Sequence, residues 1–218
     1  LKKHSRTDQK AFHIAQKYWE QRVSVRYNPY GTVTGRLGLE EGSFPILNLK
    51  KEIRDIIVPK WDGFVELDFN GAELRTLLNL SGHSQPTGDI HDFNQTSIFD
   101  DNISRADAKT KIFAWLYNPT STAVDTEYYD KTKVLEEYYA EGVVTTPFGR
   151  KIPSDDFHAL NYLVQSTSSD NFLDRANIIH RFCRNLRTNV AFLMHDSIIL
   201  DMHATERDEL KRIIQLFS

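Results

Sequence analysis

The chain has 218 residues, of which 40% are hydrophobic and 11% aromatic, enough to bury one sizeable core or two small ones. Cys183 is the single cysteine, which excludes an internal disulfide framework and a cysteine-based zinc site and fits a reducing compartment. No apolar run approaches the ~20 residues of a membrane span, and the first residues do not resemble a signal peptide. The net charge is −3, but residues 1–60 carry 12 Lys or Arg against 6 Asp or Glu, whereas residues 61–218 carry 15 against 24. A basic N-terminal segment followed by an acidic rest of the chain is compatible with phosphate contacts in the first and cation binding in the second.

The first part of the chain predicts one helix and one pair of strands. Apolar residues at helical spacing predict an amphipathic helix over residues 8–22. Further on, two short apolar runs, 53–58 and 64–69, flank a segment that contains Pro59 and Gly63. This is a hairpin pattern, and it predicts that the second run is a strand antiparallel to its neighbour.

Helical patterns dominate the rest of the chain. A second hairpin is predicted around residues 147–149, and two more strands, 190–194 and 198–202, are joined by a short turn. The predicted helices cover residues 71–81, 89–99, 104–118, 131–141, 155–186 and 205–217. Antiparallel hairpins beside separate helices predict an α+β fold, with an antiparallel sheet and packed helices.

The stretch from Leu67 to Arg75 predicts a strand that turns at Gly71 into a helix. Asp68 at the end of the strand and Glu73 five residues later would then face one crevice beside the sheet. Such a crevice is a suitable place for a metal-dependent site. The alternative is an ordinary helix start, where the helix dipole favours acidic residues. This stretch alone does not decide between the two.

Four side chains recur at four-residue intervals on the helix that follows Ser104: Arg105, Lys109, Phe113 and Tyr117. Each step of four residues turns only about 40° around a helix axis, so the four form one winding stripe. Two cations followed by two aromatic rings would suit a nucleotide lying along the helix, with its phosphates on the cations. The alternative is a solvated charged end beside an aromatic core contact.

His195 and Asp196 form a tight turn between two apolar strands. A turn often carries Asp for backbone hydrogen bonding alone. At the edge of a buried sheet, however, a charge is costly unless it is paired or binds a metal. Asp196 is therefore a candidate metal ligand.

Together these motifs resemble the A-family DNA polymerases, the bacterial polymerase I type. Residues 68–75 resemble the family's first palm motif, Asp-aromatic-x-x-x-Glu-Leu-Arg, and His195-Asp196 resembles its last palm motif. The stripe from Arg105 to Tyr117 matches the family's fingers-helix motif at every spacing. Smaller pieces agree in the same chain order: Thr34–Leu37, Asp89–His91, Gly149–Arg150, and Asn161 with Gln165. The resemblance covers roughly residues 25–205, and three motifs in order are far more specific than one.

The resemblance implies phosphoryl transfer with two metal ions. Asp68 and Asp196 would hold two Mg²⁺ ions, with Mn²⁺ as an alternative. One ion would activate the primer 3′ hydroxyl, and the other would hold the triphosphate and the leaving pyrophosphate. Arg105 and Lys109 would neutralise the triphosphate, and Lys109 would protonate the leaving group.

The resemblance also assigns contacts to the nucleotide and to the DNA. His91 would approach the triphosphate, Phe113 would pack on the sugar, and Tyr117 would stack near the template base. His195 would steady the primer end. The residues implied to read the minor-groove side of the newest base pairs are Arg36, Asn161 and Gln165.

Glu73 bears on the choice of sugar. In the family, the Glu at this place crowds the sugar 2′ position, so a ribonucleotide fits poorly. The related single-subunit RNA polymerases have His-Asp-Ser in the last motif, and Ser197 matches them rather than the Glu usual in the DNA enzymes. Glu73 and Phe113, by contrast, stand where the RNA enzymes have a small residue and Met. We therefore expect deoxynucleotides, with an RNA polymerase fragment as the alternative.

The resemblance divides the chain into a thumb or linker remnant (1–26), a first palm part (27–81), helical fingers (82–141) and a second palm part (142–218). There is room for neither a proofreading exonuclease nor a full thumb, and the chain begins with Leu1 rather than Met. We therefore expect a fragment, one piece of a split enzyme, or a reduced phage-type polymerase, in the cytoplasm of a bacterial or phage-infected cell. The expected partners are primer–template DNA and dNTPs, with a separate thumb or exonuclease chain or other replisome proteins as further candidates. The alternative is a non-catalytic nucleic-acid-binding subunit of a split polymerase.

Overall fold

The computed structural model describes residues 6–20, 24–124 and 126–218. The α-helices are α1 Arg6–Glu20, α2 Ala72–Leu80, α3 Ile90–Phe99, α4 Arg105–Leu116, α5 Lys131–Tyr138, α6 Ala159–Cys183 and α7 Leu210–Phe217. The β-strands are β1 Tyr27–Asn28, β2 Gly38–Leu39, β3 Gly63–Asp68, β4 Tyr139–Ala140, β5 Val143–Thr145, β6 Lys151–Pro153, β7 Asn189–Met194 and β8 Ser197–Met202. Short 3₁₀ helices cover Ile46–Asn48, Lys51–Ile56 and Ala204–Glu209. Helices beside antiparallel sheets confirm the predicted α+β class.

The chain forms two compact units. The first unit contains Leu1–Thr32, Arg36–Asp68 and Leu173–Ser218, and the second contains Val33–Gly35 and Phe69–Phe172. One boundary therefore falls inside the strand–turn–helix stretch, directly after Asp68. The division into linker, palm and fingers segments drawn from the sequence stays a prediction.

The first unit is built on a three-stranded antiparallel sheet in the order β3-β8-β7. All six residues of the central strand β8 are buried, as its unbroken apolar run Ile198–Leu200 favours. A small core around Ile46 and Ile53 packs against partly buried residues of α1. This sheet fixes the positions of Asp68 and Asp196.

The predicted hairpin between residues 53–58 and 64–69 is wrong in its first strand. Residues Lys51–Ile56 form a 3₁₀ helix, in which Ile53 is buried. Three residues complete one 3₁₀ turn, so Ile53 and Ile56 lie on the same side of it. The antiparallel neighbour of β3 is β8, from the far end of the chain.

The second unit packs α2–α5, the strands β4–β6 and the first part of α6 around one core. Leu74, Leu77 and Leu78 of α2 are completely buried in it, as are Ile112 of α4 and Leu163 of α6. The predicted hairpin at residues 147–149 is confirmed, because β5 and β6 pair antiparallel across it. The leucines of α2 therefore anchor the helix that begins just after Asp68.

The remaining predicted helices are present with shifted ends. The helix predicted over 8–22 is α1, and residues 21–22 lie outside the described residues. The helix predicted over 205–217 begins as 3₁₀ turns before α7, with a non-helical residue at Glu206. Within the described ranges, no helix is both long enough and apolar enough to cross a membrane.

Candidate functional site

The two candidate metal ligands of the first unit lie at the same end of its sheet. Asp68 is the last residue of β3 and pairs with Ser197, the first residue of β8. Asp196 immediately precedes Ser197, in the two-residue turn between β7 and β8. Because antiparallel β3 ends where β8 begins, the strand pairing brings the two carboxylates together.

The surroundings of Asp68 concentrate negative charge. Desolvation raises the pKa of this carboxyl, and the charges of Glu66 and Asp196 raise the pKa further. The hydroxyl of Ser197 donates a hydrogen bond to Oδ1 of Asp68 at 3.0 Å, which opposes these effects on the pKa. A carboxylate in such surroundings gains stabilisation from a nearby cation.

The donor set fits a hard divalent cation. Mg²⁺ prefers oxygen ligands and is usually held by one or two carboxylates together with substrate phosphates, rather than by a complete protein cage. Asp68 and Asp196 match that pattern. In the part of the chain that the structure describes, no cluster of three or more His, Cys, Asp or Glu side chains is placed to hold a metal.

Tyr27 supports the strand that leads into the Asp196 turn. Its hydroxyl donates to the carbonyl oxygen of Leu193 at 2.6 Å and accepts from the Leu193 N–H at 2.7 Å. Burial raises the pKa of Tyr27 to about 12, against the effect of the Leu193 hydrogen bond. Sequence reasoning missed this residue, since nothing local links positions so far apart.

The turn itself borders a groove in the first unit. His195 has a positive φ of 54° and is exposed, while Asp196 is half-buried. The groove has a volume of about 580 Å³ and is lined by Arg36, Asn48, His195 and Asp196, with leucines on its apolar side. Arg36, His195 and Asp196, which lie far apart in the sequence and were all named through the resemblance, therefore share one groove.

In the second unit, α4 carries the predicted stripe. Ser104 caps the helix by accepting from the N–H of Asp107 at 3.2 Å, as the sequence predicts. The rings of Phe113 and Tyr117 are stacked, with centroids 6.0 Å apart and planes 16° apart. The Tyr117 hydroxyl donates to Oε2 of Glu73, whose side chain is only 8% exposed. The structure thus brings together Glu73, Phe113 and Tyr117.

His91 lies behind this stripe rather than on the surface. It is 4% exposed, its ring centroid is 5.9 Å from that of Phe113, and its Nδ1 finds no hydrogen-bond partner among the described residues. Desolvation lowers the pKa of His91, and the charges of Lys109 and Arg105 lower it further, against the opposite effects of Asp89 and Asp92. Burial thus favours the neutral form of the imidazole.

Gly71 allows α2 and α3 to begin side by side. Its φ is 66°, in the left-handed region, and a Cβ there would lie 2.4 Å from Cγ2 of Ile90. Ile90 is the first residue of α3 and is directly followed by His91. Gly71 is therefore needed both for the turn after Asp68 and for the close packing that buries His91.

Arg105 is engaged by two acids, Asp89 and Asp92, and sequence reasoning missed this pairing. Its Nη2 lies 2.6 Å from Oδ2 of Asp89, and its Nε lies 2.7 Å from Oδ1 of Asp92. The sequence does hold a signal for this pairing. The helix dipole disfavours a cation in the first turn of α4, so an Arg at this position is expected to have an acidic partner that offsets the unfavourable interaction. Lys109, one turn further along, is exposed.

Asn161 and Gln165 form a separate pair on α6. Nε2 of Gln165 donates to Oδ1 of Asn161 at 2.5 Å. Within residues 6–20, 24–124 and 126–218, no hydrogen bond joins this pair to the stripe on α4. Their predicted contact with DNA stays a prediction.

Two of the smaller motifs meet through Gly35. Its φ is 74°, and a Cβ on it would lie 2.6 Å from Cζ of Arg150. Arg150 is held by Asp170 in a bidentate ion pair with distances of 3.1 and 2.5 Å. The Ser169 hydroxyl donates to the Gly35 carbonyl at 3.0 Å. Gly35 and Arg150 therefore pack together and join the two motifs within the second unit.

Comparisons with known proteins show the fold. No family model matches the chain, and no curated protein matches it. Among solved structures, the chain is similar to the POL domain of Pol1 from M. smegmatis, determined in complex with DNA primer-template and dNTP. The TM-score is 0.69 and the identity 19%, over 88% of this chain and 44% of that chain. The chain thus shares the fold of part of a bacterial Pol I-type polymerase domain and spans less than half of that chain's length.

Proposed function

We propose that this chain is the palm-and-fingers core of a template-directed DNA polymerase that adds deoxynucleotides from dNTPs to a primer 3′ end. The observation that carries the proposal is the pair Asp68 and Asp196, which the strands β3 and β8 hold at one end of the sheet. The pair occurs in a chain whose fold resembles a polymerase domain determined with primer-template and dNTP.

In this proposal, Asp68 and Asp196 bind divalent cations, Mg²⁺ or alternatively Mn²⁺. When bound, these cations supply the positive charge that favours ionisation of the primer hydroxyl and offsets charge on the phosphates. Ser197 orients Asp68 through its hydrogen bond. His195 and Arg36, which border the same groove as Asp196, contact the primer end and the newest base pairs.

The residues of the second unit bind the incoming nucleotide. Arg105 and Lys109 contact the triphosphate, and Nζ of Lys109 donates a proton to the leaving pyrophosphate. His91, which the sequence resemblance brings near the triphosphate, is buried behind the stripe and supports Phe113 instead. Phe113 packs on the sugar and Tyr117 near the template base. Glu73 restricts the sugar 2′ position. Two further residues contact the minor groove of the duplex, Asn161 and Gln165.

Primer extension tests the proposal. We expect Asp68→Asn and Asp196→Asn each to abolish extension of a primed template with dNTPs, because the isosteric amide removes the charge that binds the cation. Asp208→Asn is the matched control, since it removes an exposed carboxylate elsewhere in the first unit. We expect a chelator to stop the reaction and added Mg²⁺ to restore it. Extension that survives both substitutions at Asp68 and Asp196 would overturn the mechanism.

RNA synthesis is a second candidate because Ser197 follows Asp196, as it does in the related RNA enzymes. Parallel reactions with NTPs decide between the two, since a wild-type preference for NTPs would replace DNA synthesis by RNA synthesis.

A subunit of a split polymerase is a third candidate, as the resemblance of the sequence to the polymerase motifs also allows. Its partner would be a separate thumb or exonuclease chain or another replisome protein. Activity only after a partner chain is added would show a split enzyme. Inactivity with every partner and metal, together with retained DNA binding, would show a non-catalytic nucleic-acid-binding subunit.

A further inference from the structure

Arg105 is not an open phosphate ligand in this structure, because two carboxylates of α3 and its cap already hold its guanidinium. Asp89 accepts from Nη2 at 2.6 Å and Asp92 accepts from Nε at 2.7 Å. The Arg105 side chain is nevertheless 47% exposed, so a ligand can reach its remaining N–H groups. A phosphate that binds Arg105 bidentately must therefore compete with at least one of these acids.

Asp89 is the acid that a ligand would not displace. Besides Arg105, it accepts from the backbone N–H groups of His91 and Asp92, at 2.7 and 3.1 Å, and from Nδ2 of Asn70 at 2.7 Å. Desolvation of Asp89 favours its neutral form, but these hydrogen bonds outweigh desolvation and lower its pKa to about 2. Asp89 thus caps α3 and ties it to the turn after Asp68.

Asp92 is the acid that a ligand can displace. Its side chain is 63% exposed, and within the described residues its carboxylate hydrogen-bonds with Arg105 alone. It lies in the first turn of α3, where the helix dipole stabilises its charge whether or not Arg105 is bound. Losing the contact with Arg105 therefore costs Asp92 little.

The charges around Arg105 determine how strongly Asp92 opposes the binding of a phosphate. Asp89 and Asp92 carry two negative charges, and Arg105 and Lys109 carry two positive charges, so the formal charges of the four cancel. A triphosphate then meets a neutral cluster rather than a cationic one. With Asp92 removed, the same cluster would attract it.

We propose that Asp92 is a built-in competitor of the nucleotide triphosphate: it occupies Nε of Arg105 in the free protein and must leave before the phosphates bind there. This inference rests on the proposed nucleotide site. Its effect is to weaken the binding of phosphate anions and to hold Arg105 in place until a multiply charged ligand arrives.

The test is isothermal titration calorimetry, in which the full chain is titrated with inorganic tripolyphosphate at one fixed low ionic strength and the dissociation constant is measured. We expect Asp92→Asn to lower the dissociation constant about threefold to tenfold, the range for one charge-assisted contact at a half-exposed site. Glu136→Gln is the matched control, because it removes one exposed acid of the same unit and should leave the constant unchanged. Circular dichroism of each variant checks the fold.

A double-mutant cycle shows whether the effect passes through Arg105. In an Arg105→Ala background, Asp92→Asn should bring a much smaller gain in affinity, because only the through-space effect of the lost charge remains. Equal dissociation constants for wild type and Asp92→Asn, or a gain as large without Arg105 as with it, would overturn the inference and leave the proposed function standing. Absence of tripolyphosphate binding in every variant would overturn the inference together with the nucleotide site on which it rests. Binding with the expected Asp92 effect, but no primer extension with or without an added partner chain, would support the inference and remove the proposed function.

Discussion

Replacing Glu73 by Ala should relax the choice of sugar. Glu73 lies in the first turn of α2 and is 8% exposed, and its carboxylate accepts a hydrogen bond from Tyr117. Tyr117 is fixed in turn by its stacking on Phe113. The carboxylate is therefore held by Tyr117 at the end of α4 as well as by its own helix, which resists its displacement by a 2′ hydroxyl.

The size of the effect follows from this packing. Forcing an extra group into a well-packed site costs about 1–3 kcal/mol. Since about 1.4 kcal/mol corresponds to a factor of ten, the wild type should favour a dNTP over the matching NTP by roughly 5- to 150-fold through this contact. Glu73→Ala should lose most of this preference. Tyr117→Phe should lose part of it, because the carboxylate then remains but is no longer anchored.

The assay is single-nucleotide incorporation, with kcat/KM measured for one dNTP and the matching NTP. Glu136→Ala is the control, since it truncates an exposed Glu of the same unit. The reasoning is refuted if Glu73→Ala keeps the wild-type ratio of the two kcat/KM values while it still incorporates the dNTP. The choice of sugar would then be made by other residues.

Three further predictions concern stability. Gly35→Ala should lower the free energy of unfolding, measured in urea, by about 1–3 kcal/mol, because the new Cβ would lie 2.6 Å from Cζ of Arg150 on a residue with a φ of 74°. Gly38→Ala is the control and should change this free energy little, because the nearest atoms to its Cβ are 3.7 Å away. Asp89→Asn keeps the cap on α3 but loses the charge, so it should cost about 1 kcal/mol at neutral pH after allowance for solvent screening. The pKa of Asp89 is lowered from 3.8 to about 2 in the folded protein. The difference in unfolding free energy between wild type and Asp89→Asn should therefore be full above pH 3.8 and vanish as the pH falls through about 2. A difference that does not depend on pH would contradict this account. Asp201→Ala should cost about 2–4 kcal/mol, because it leaves two backbone N–H groups, those of residues 60 and 61, without their acceptor. Asp201→Asn, which keeps one acceptor oxygen, should cost less, and equal losses would contradict this account.

The strand–turn–helix stretch could be predicted because its signals are local. The alternating run before Asp68, the left-handed Gly71 and the leucines of α2 all lie within some fifteen residues. The short turn at His195–Asp196 was readable for the same reason. Each of these features depends on the chain's own dihedral and periodicity preferences.

The strand that pairs with β3 could not be predicted in this way. The apolar residues around Ile53 suit either a strand or a helical turn, and only the packing of Ile53 in the small core decides for the 3₁₀ helix. The true partner, β8, lies far along the chain, so no local spacing indicates it. Strand pairing across such distances is a property of the assembled sheet.

The partners of Arg105 show the same limit at the candidate site. The stripe on α4 was predicted from spacing along one helix, which indicates a face but not what covers it. Asp89 and Asp92 reach Arg105 only because α3 and α4 pack together. The sequence thus indicated a phosphate-binding arginine, whereas the structure shows one that is already paired.

The turn that carries Asp196 has a consequence for insertions in this part of the chain. Met194 pairs with Ser197, so only two residues separate β7 from β8, and every position of β8 is buried. A slip of β8 by one residue against β3 would exchange the two faces of this buried strand, because side chains alternate between the faces. Asp196 directly precedes Ser197, which pairs with Asp68, so the register of β8 against β3 also sets the position of one candidate metal ligand relative to the other.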